Sequence, residues 1–285
     1  MEIKLRPGTV GDATECGRIC YEAFASLATA HGFPPDFPSS AVATSSLLGL
    51  LSHPDFYSVV AEQEARAVGS NFLDERSSIA GVGPITVDPL NQDAGIGREL
   101  MLDVMDRAKS KGFAGMRLLQ AAYHNRSLSL YAKLGFQPRE SIATLQGQAL
   151  RLSITGYEVR PATHDDLDLC NRLCEGVHGH DRAGEVRDAI AQGTARVVEH
   201  DGRIVGYTTG VAFFGHSIAE SNEGLKALIG DAAQFAGPGF LLPTRNATIF
   251  RWCLEHGLRV VQLMTLMTVG LYNEPDGPYL PSILY

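Results

Sequence analysis

The sequence predicts an α/β fold, a mixed and largely antiparallel sheet flanked by helices, built twice in tandem. The first observation is an internal repeat. LRPGTVGDATECGRIC (Leu5 to Cys20) and VRPATHDDLDLCNRLC (Val159 to Cys174) share Arg, Pro, Thr, Asp, Cys, Arg and Cys at an offset of 154, beginning with Arg6 and Arg160. The second is that strand-like and helix-like runs alternate along the chain. The third is size: 285 residues, 45% hydrophobic and 20% charged, is long for one domain and comfortable for two. The boundary is expected near Gly156, giving halves 1–155 and 156–285. No low-complexity linker separates them, so they should pack tightly.

The elements follow in order. Ile3 to Arg6 reads as a strand. Thr9 caps the next helix, with Asp12 three residues on as a capping-box variant. Cys16, Ile19, Cys20, Ala23 and Phe24 then recur at helical spacing to about Ala30. The loop HGFPPDFPSS leads to a helix from about Val42 to Leu51. Tyr57 to Leu73 reads as a hairpin, two strands around a polar turn, and Ile79 to Val87 as one long strand. A helix from about Gly97 to Lys111 places Leu100, Met101, Val104, Met105 and Ala108 on one face, and Gly112 stops it. A strand (Met116 to Ala121), a helix (about Asn125 to Leu134) and closing strands complete the half.

The second half repeats the pattern. Thr163 and Asp166 stand where Thr9 and Asp12 stand, and Ala195 to Val211 is its hairpin. Tyr123 to Phe136 and Thr244 to Leu258 each hold an Asn, an aromatic residue six positions on, and a closing Gly. The apolar run Val260 to Tyr272 is too short for a bilayer span and contains Gln262, so it is expected as a buried strand. The five cysteines are an odd number, and Cys16, Cys20, Cys170 and Cys174 share apolar helix faces. They are read as small hydrophobes, with no disulfide framework and no metal.

The net charge of −8 and the lack of a Lys/Arg block argue against nucleic acid as a partner, and weakly favour cationic small molecules or basic peptides. No leader or membrane span is read, so the expected location is the cytoplasm.

One junction stands out. ITVDPLNQDAGIGREL (Ile85 to Leu100) runs from a strand into a helix start carrying Gly95 and Gly97. Free N–H groups and the positive end of the helix dipole make such a start an anion site, and glycines let a phosphate approach the backbone. The third position of a dinucleotide fingerprint is Leu100, and Arg98 stands where a Walker loop needs Lys, so both of those readings fail.

The pattern V-D-P-x-x-Q-x-x-G-I-G-R (Val87 to Arg98), followed by N-x-x-x-x-x-Y-x-x-x-G-F (Asn125 to Phe136), resembles the GNAT superfamily of acyl-CoA-dependent N-acetyltransferases. The second half resembles it more distantly, so the whole resembles a tandem member. The resemblance implies acetyl-CoA as cofactor, held at Ile85, Thr86, Val87, Gln92, Asp93, Ala94, Gly95, Ile96, Gly97, Arg98, Asn125 and Tyr131. The strand before the loop would splay from its neighbour to admit the pantetheine arm. Tyr131 would be the general acid: an unperturbed phenol near pKa 10 keeps its proton at neutral pH and can protonate a departing thiolate.

Many members carry a Glu early in that strand; SSIAGVGPITV has no carboxylate. Glu75 is carried as the base, beside Asp74, His31, His53 and His124. The second half has no Q-x-x-G-x-G, and Trp252 stands where Tyr131 does, so it is expected to be a degenerate copy that packs against the first and walls the acceptor pocket. The implied activity is direct acetyl transfer to a primary amine of a small molecule or peptide, in a monomer or homodimer. The alternative is a non-catalytic acyl-CoA-binding sensor or scaffold. A terminal-carboxylate base at Tyr285 is a further expectation.

Overall fold

The computed structural model describes residues 3–285. The first half comprises β1 (Lys4–Pro7), a 3-10 turn, α1 (Ala13–Ala30), α2 (Ser40–Ser52), β2 (Phe56–Gln63), β3 (Arg66–Asp74), β4 (Ile79–Val82), β5 (Thr86–Val87), α3 (Ile96–Lys111), β6 (Gly115–Ala121), α4 (Asn125–Lys133) and β7 (Gln137–Gln146). The second comprises β8 (Tyr157–Pro161), a 3-10 turn, α5 (Leu167–His178), α6 (Ala183–Ala191), β9 (Arg196–His200), β10 (Arg203–Thr208), β11 (Ser217–Ala219), α7 (Asn222–Asp231), β12 (Phe240–Pro243), α8 (Ala247–Glu255), β13 (Arg259–Gly270) and β14 (Tyr279–Leu280).

The repeated junction has the same geometry twice. Thr9 and Asp12 form a reciprocal capping box, as do Thr163 and Asp166. Arg6 Nη2 meets Asp12 Oδ1 at 2.7 Å and its Nε meets Glu62 at 2.8 Å; Arg160 meets Asp166 and Glu199 at 2.8 Å each. Each arginine thus ties its strand, its helix start and the neighbouring strand together.

The expected long strand from Ile79 to Val87 is two strands. It breaks at Gly83–Pro84, a cis peptide, where proline has no N–H to give a ladder. After the break the chain pairs with β3, Val87 opposite Gly69.

One sheet runs β1-β2-β3-β4-β6-β13-β7-β12, with β5 also on β3; the other runs β14-β11-β10-β9-β8. The β4–β6 pair is parallel, and the other pairs are antiparallel. The 155/156 junction is therefore not a boundary between sheets. Strand β13, from the second half, lies between β6 and β7 of the first, with Leu266 opposite Leu119 and Leu263 opposite Ala143. The run Val260 to Tyr272 earns its apolar character here: Met264, Leu266 and Met267 are at most 4% exposed.

Period-two alternation sorts the first sheet's faces. Val59, Ala61 and Leu73 pack with α3 residues Leu100, Met101, Val104 and Ala108. Val60 and Phe72 point the other way, to Cys16 and Cys20 of α1 and Leu47 of α2. Ile79, Leu119, Ile142, Phe213, Leu241, Met264, Leu266 and Tyr285 form a core shared by the two halves. All five cysteines are free and buried. Among the described residues, no helix is long and apolar enough to cross a membrane.

Candidate active site

Strands β4 and β6 are paired only from Ile79/Gly115 to Gly81/Arg117. Beyond that they diverge. Val82, Gly83, Pro84 and Ile85 on one side, and Leu118, Leu119, Gln120 and Ala121 on the other, face a cavity of about 120 Å³. Divergence follows from the break at Pro84: β5 has moved to β3, leaving β6 without a partner on that edge.

The Asp88 N–H donates to Val68 O at 2.9 Å. Bonded positions alternate along an antiparallel pair. The Val87 amide is therefore turned away from β3, toward the open side, where Val87 lines a second, more open cleft of about 300 Å³.

The glycine loop forms that cleft. Gly95 is the N-cap of α3 at φ +83°, a left-handed conformation that L side chains rarely adopt, and a Cβ there would point into open space. The first helical hydrogen bonds at this end run from Arg98 and Glu99 N–H to Gly95 O. The amides of Ile96 and Gly97 precede them and have no intrahelical acceptor. The exposed guanidinium groups of Arg98 and Arg126 line the cleft, Arg126 reaching Asp93 at 2.6 Å. Open glycine backbone, free amides, a helix dipole and two cations suit a diphosphate, so the cleft fits the pyrophosphate of coenzyme A.

Tyr131, on α4, borders both spaces, as do Ile85 and Ser127. Helix α4 presents Tyr131 inward because its apolar face packs Leu128 and Leu134 on the sheet. The side chain is 7% exposed, and burial alone pushes its phenol above the ordinary value, so the proton stays on.

Not every residue expected at the site arrives there. Ile85, Val87, Gln92, Asp93, Gly95, Ile96, Gly97, Arg98 and Tyr131 line the cleft. Thr86 is buried, opposite Ser70 of β3, Ala94 is exposed on the loop, and Asn125 sits one residue outside, where Arg126 and Ser127 take the lining positions. Glu75 is a correction: it lines neither space, and its carboxylate is held by Arg107 of α3 at 2.7 and 3.0 Å. Asp74 pairs with Arg76 at 2.6 Å, and His53 meets Asp188 at 3.1 Å, both in the contact between the halves. His31 is exposed and lies tilted against Tyr123, ring centroids 5.0 Å apart. His124 alone of the expected bases borders the cavity, and burial lowers its pKa. The Tyr285 ring is buried among Arg117, His180 and Arg182, and Ile283 and Leu284 border the cavity instead.

The sequence points to the segment Ala25 to Ser52, with Phe33, Phe37, His31 and Asp36, as lining an acceptor site, and Asp36 and Phe37 of its proline-rich loop do border the cavity. The wall residues it missed are Gln120, Ser127, Phe213, Phe214 and Met264, from β6, α4 and the second half. Gln262 meets Asp36 through its amide N–H at 3.3 Å and takes the Tyr123 hydroxyl at 3.3 Å. Gln120 Nε2 is buried without a partner among the described residues, a donor left for an oxygen of a bound molecule. No local motif marks Gln120, Ser127, Phe213, Phe214, Met264 or Gln262, whereas the prolines of the loop carrying Asp36 and Phe37 mark a rigid segment.

In the second half the inter-strand gap is filled, and an open cleft of about 220 Å³ remains at the starts of α7 and α8, lined by Asn222, Arg245 and Asn246 without a glycine loop. Strand β11 leads within three residues into α7, whose cap is Ser221, its Oγ accepting from Gly224 N at 3.2 Å. Strand β14 pairs with β11 and packs Leu280 with Ala219 and Leu242 of β12. The chain's own tail thus fills the gap that stays open between β4 and β6.

Residues 54–138, which hold the splayed strands, the loop and Tyr131, match the family model "Acetyltransferase (GNAT) domain". The chain carries a GNAT acetyltransferase domain. The cofactor of this N-acetyltransferase family is acetyl-CoA. No curated protein matches the sequence. Among solved structures, an assigned acetyltransferase of Pyrococcus horikoshii is similar over 99% of this chain and 94% of its own, at TM-score 0.78 and 18% identity. A GCN5-related N-acetyltransferase from Sphaerobacter thermophilus covers 96% and 97%, at 0.63 and 14%. A tandem GNAT protein from the clavulanic acid biosynthesis pathway covers 94% and 98%, at 0.57 and 16%. These likenesses extend the GNAT fold to both halves.

Proposed function

We propose that this chain transfers the acetyl group of acetyl-CoA directly to the primary amine of a small molecule, with the chemistry in its first half. The observation that carries the reading is that the phosphate-fitting cleft and the aromatic-walled cavity meet at Ile85, Ser127 and Tyr131. One space suits the cofactor, the other an acceptor, and the one titratable side chain they share is a buried phenol.

Acetyl-CoA supplies an activated acyl group as a thioester. The loop from Gln92 to Arg98, with Arg126, holds the pyrophosphate. The outward Val87 amide is placed to polarise the thioester oxygen. The amine nitrogen gives up a proton as it bonds to the acyl carbon, and Tyr131 protonates the leaving sulfur. We expect the protein in the cytoplasm, as a monomer or homodimer.

The test combines titration of acetyl-CoA with a thiol-release assay over an amine panel. Tyr131→Phe should lower kcat on the order of 10²-fold with coenzyme affinity unchanged. Unaltered turnover would remove Tyr131 from the reaction.

A further inference from the structure

Resting on that reading, we infer that the acceptor is a primary amine carried on an apolar body, and that Asp36 binds its nitrogen and takes its proton, with Gln262 as the positioning residue. The cavity wall is mostly apolar: Phe24, Leu27, Phe37, Phe213, Phe214 and Met264 surround it, with Tyr123 and Tyr131, and Gln120, His124 and Ser127 add uncharged polar groups. Among the described residues, Asp36 is the one carboxylate in this wall. A lone carboxylate among aromatic rings recognises one cation beside an apolar group, and offers nothing to a second charge.

The position of Asp36 is built rather than incidental. It sits in the proline-rich loop, where Phe33 stacks on Tyr123 with centroids 4.5 Å apart. Tyr123 donates to Gln262 Oε1, and Gln262 Nε2 donates to Asp36 Oδ1. Gln262 is 3% exposed and lies on β13, so the second half fixes the carboxylate of the first. The other titratable groups near the carboxylate are Cys20 of α1, Tyr123, His31 and His124. Burial raises the Asp36 carboxyl above the ordinary range, and the Gln262 donor opposes that rise. A carboxylate of raised basicity is a better proton acceptor for an ammonium group.

The experiment uses the full chain. Phenethylamine, benzylamine and hexylamine are compared with lysine, spermidine and a hexapeptide with a free N-terminus. The three apolar amines should exceed the polar ones at least tenfold in kcat/KM. Phenethylamine should also bind the protein in calorimetry without any coenzyme. Asp36→Asn should cost at least a hundredfold in kcat/KM, abolish that calorimetric signal and remove the acidic limb of the pH profile, while acetyl-CoA affinity holds. Asp36→Glu should recover part of the activity. Gln262→Leu should move the acidic limb to higher pH, because the carboxylate loses the donor that favours its charged form; loss of packing alone would not move it.

Preference for lysine, spermidine or the peptide overturns the inference. So does an acidic limb that disappears in His124→Gln and survives in Asp36→Asn. Either result leaves the acetyltransferase reading standing. Absence of acetyl-CoA binding, or of thiol release with every amine, overturns that reading and the inference with it.

Discussion

The two halves agree at one strand–helix junction and disagree at another, and the contrast separates what folds the chain from what equips it. At the first junction, Arg6, Thr9, Asp12 and Glu62 are reproduced contact for contact by Arg160, Thr163, Asp166 and Glu199. At the second, the first half inserts the glycine loop and leaves β4 and β6 apart, whereas the second half caps α7 with Ser221 and closes the gap with β14. A capping box stabilises any strand–helix turn, so both copies keep it. An open gap between parallel strands leaves backbone groups unpaired and stabilises nothing by itself. The second half fills it with its own chain.

The halves are also unequal in independence, and this gives the largest expected effect. Strand β13 places Met264, Leu266 and Met267 in the first sheet. Fully burying each such side chain is worth about 1.5 to 3 kcal/mol, so losing all three, roughly 4.5 to 9 kcal/mol, is comparable with the 5–15 kcal/mol of a typical domain's stability. Residues 1–155 expressed alone should show no cooperative thermal transition, and adding 156–285 in trans should restore one. A cooperative melt for the isolated fragment would mean that β13 is dispensable and that the halves are separate domains.

The next test compares the two junctions directly. Gly97→Glu puts a carboxylate at the mouth of the cleft, where its Cβ meets only Val87 and Leu130 at ordinary distances. The fold should survive, and acetyl-CoA affinity should fall on the order of a hundredfold, about 2.8 kcal/mol. Ser221→Ala in the second half should leave that affinity alone and cost about 1 kcal/mol of stability through the lost cap. Equal effects of the two changes on affinity would place a second coenzyme site in the half closed by β14.

The difference between the halves was only partly legible in the sequence. The repeat, the capping boxes, the glycine loop and the inward Tyr131 are local patterns with local causes, and the structure has them where the residues indicate. Sheet membership is not local. Nothing in Val260 to Tyr272 says that its partners are β6 and β7 rather than strands of its own half; the run shows only that it is buried. The break at Pro84 could be read as an irregularity, but not as a transfer of Val87 to β3. Glu75 looked available because charge is visible in sequence and a partner 32 positions away is not. Asp36 and Gln262, 226 positions apart, meet only because β13 crosses between the halves.

The smallest effect tests the agreement rather than the divergence. Arg6 hydrogen-bonding holds the Asp12 carboxyl at about 2, and Arg160 does the same for Asp166. The folded state thus binds these protons less tightly than the unfolded chain, whose carboxyls titrate near 3.9. The stabilisation is present above pH ~4 and is lost as pH falls from there toward about 2. Asp12 is half-buried and Asp166 buried, but their arginine partners are about a third exposed, so solvent screening leaves roughly 1 kcal/mol for each. Asp12→Asn and Asp166→Asn should each lower stability by about that amount at pH 7 and by almost nothing at pH 2, measured by urea denaturation at the two pH values. Because the sites are far apart in sequence and share no partner, the double variant should be additive. A loss confined to one half would show that the repeated junction has kept its geometry and not its energy.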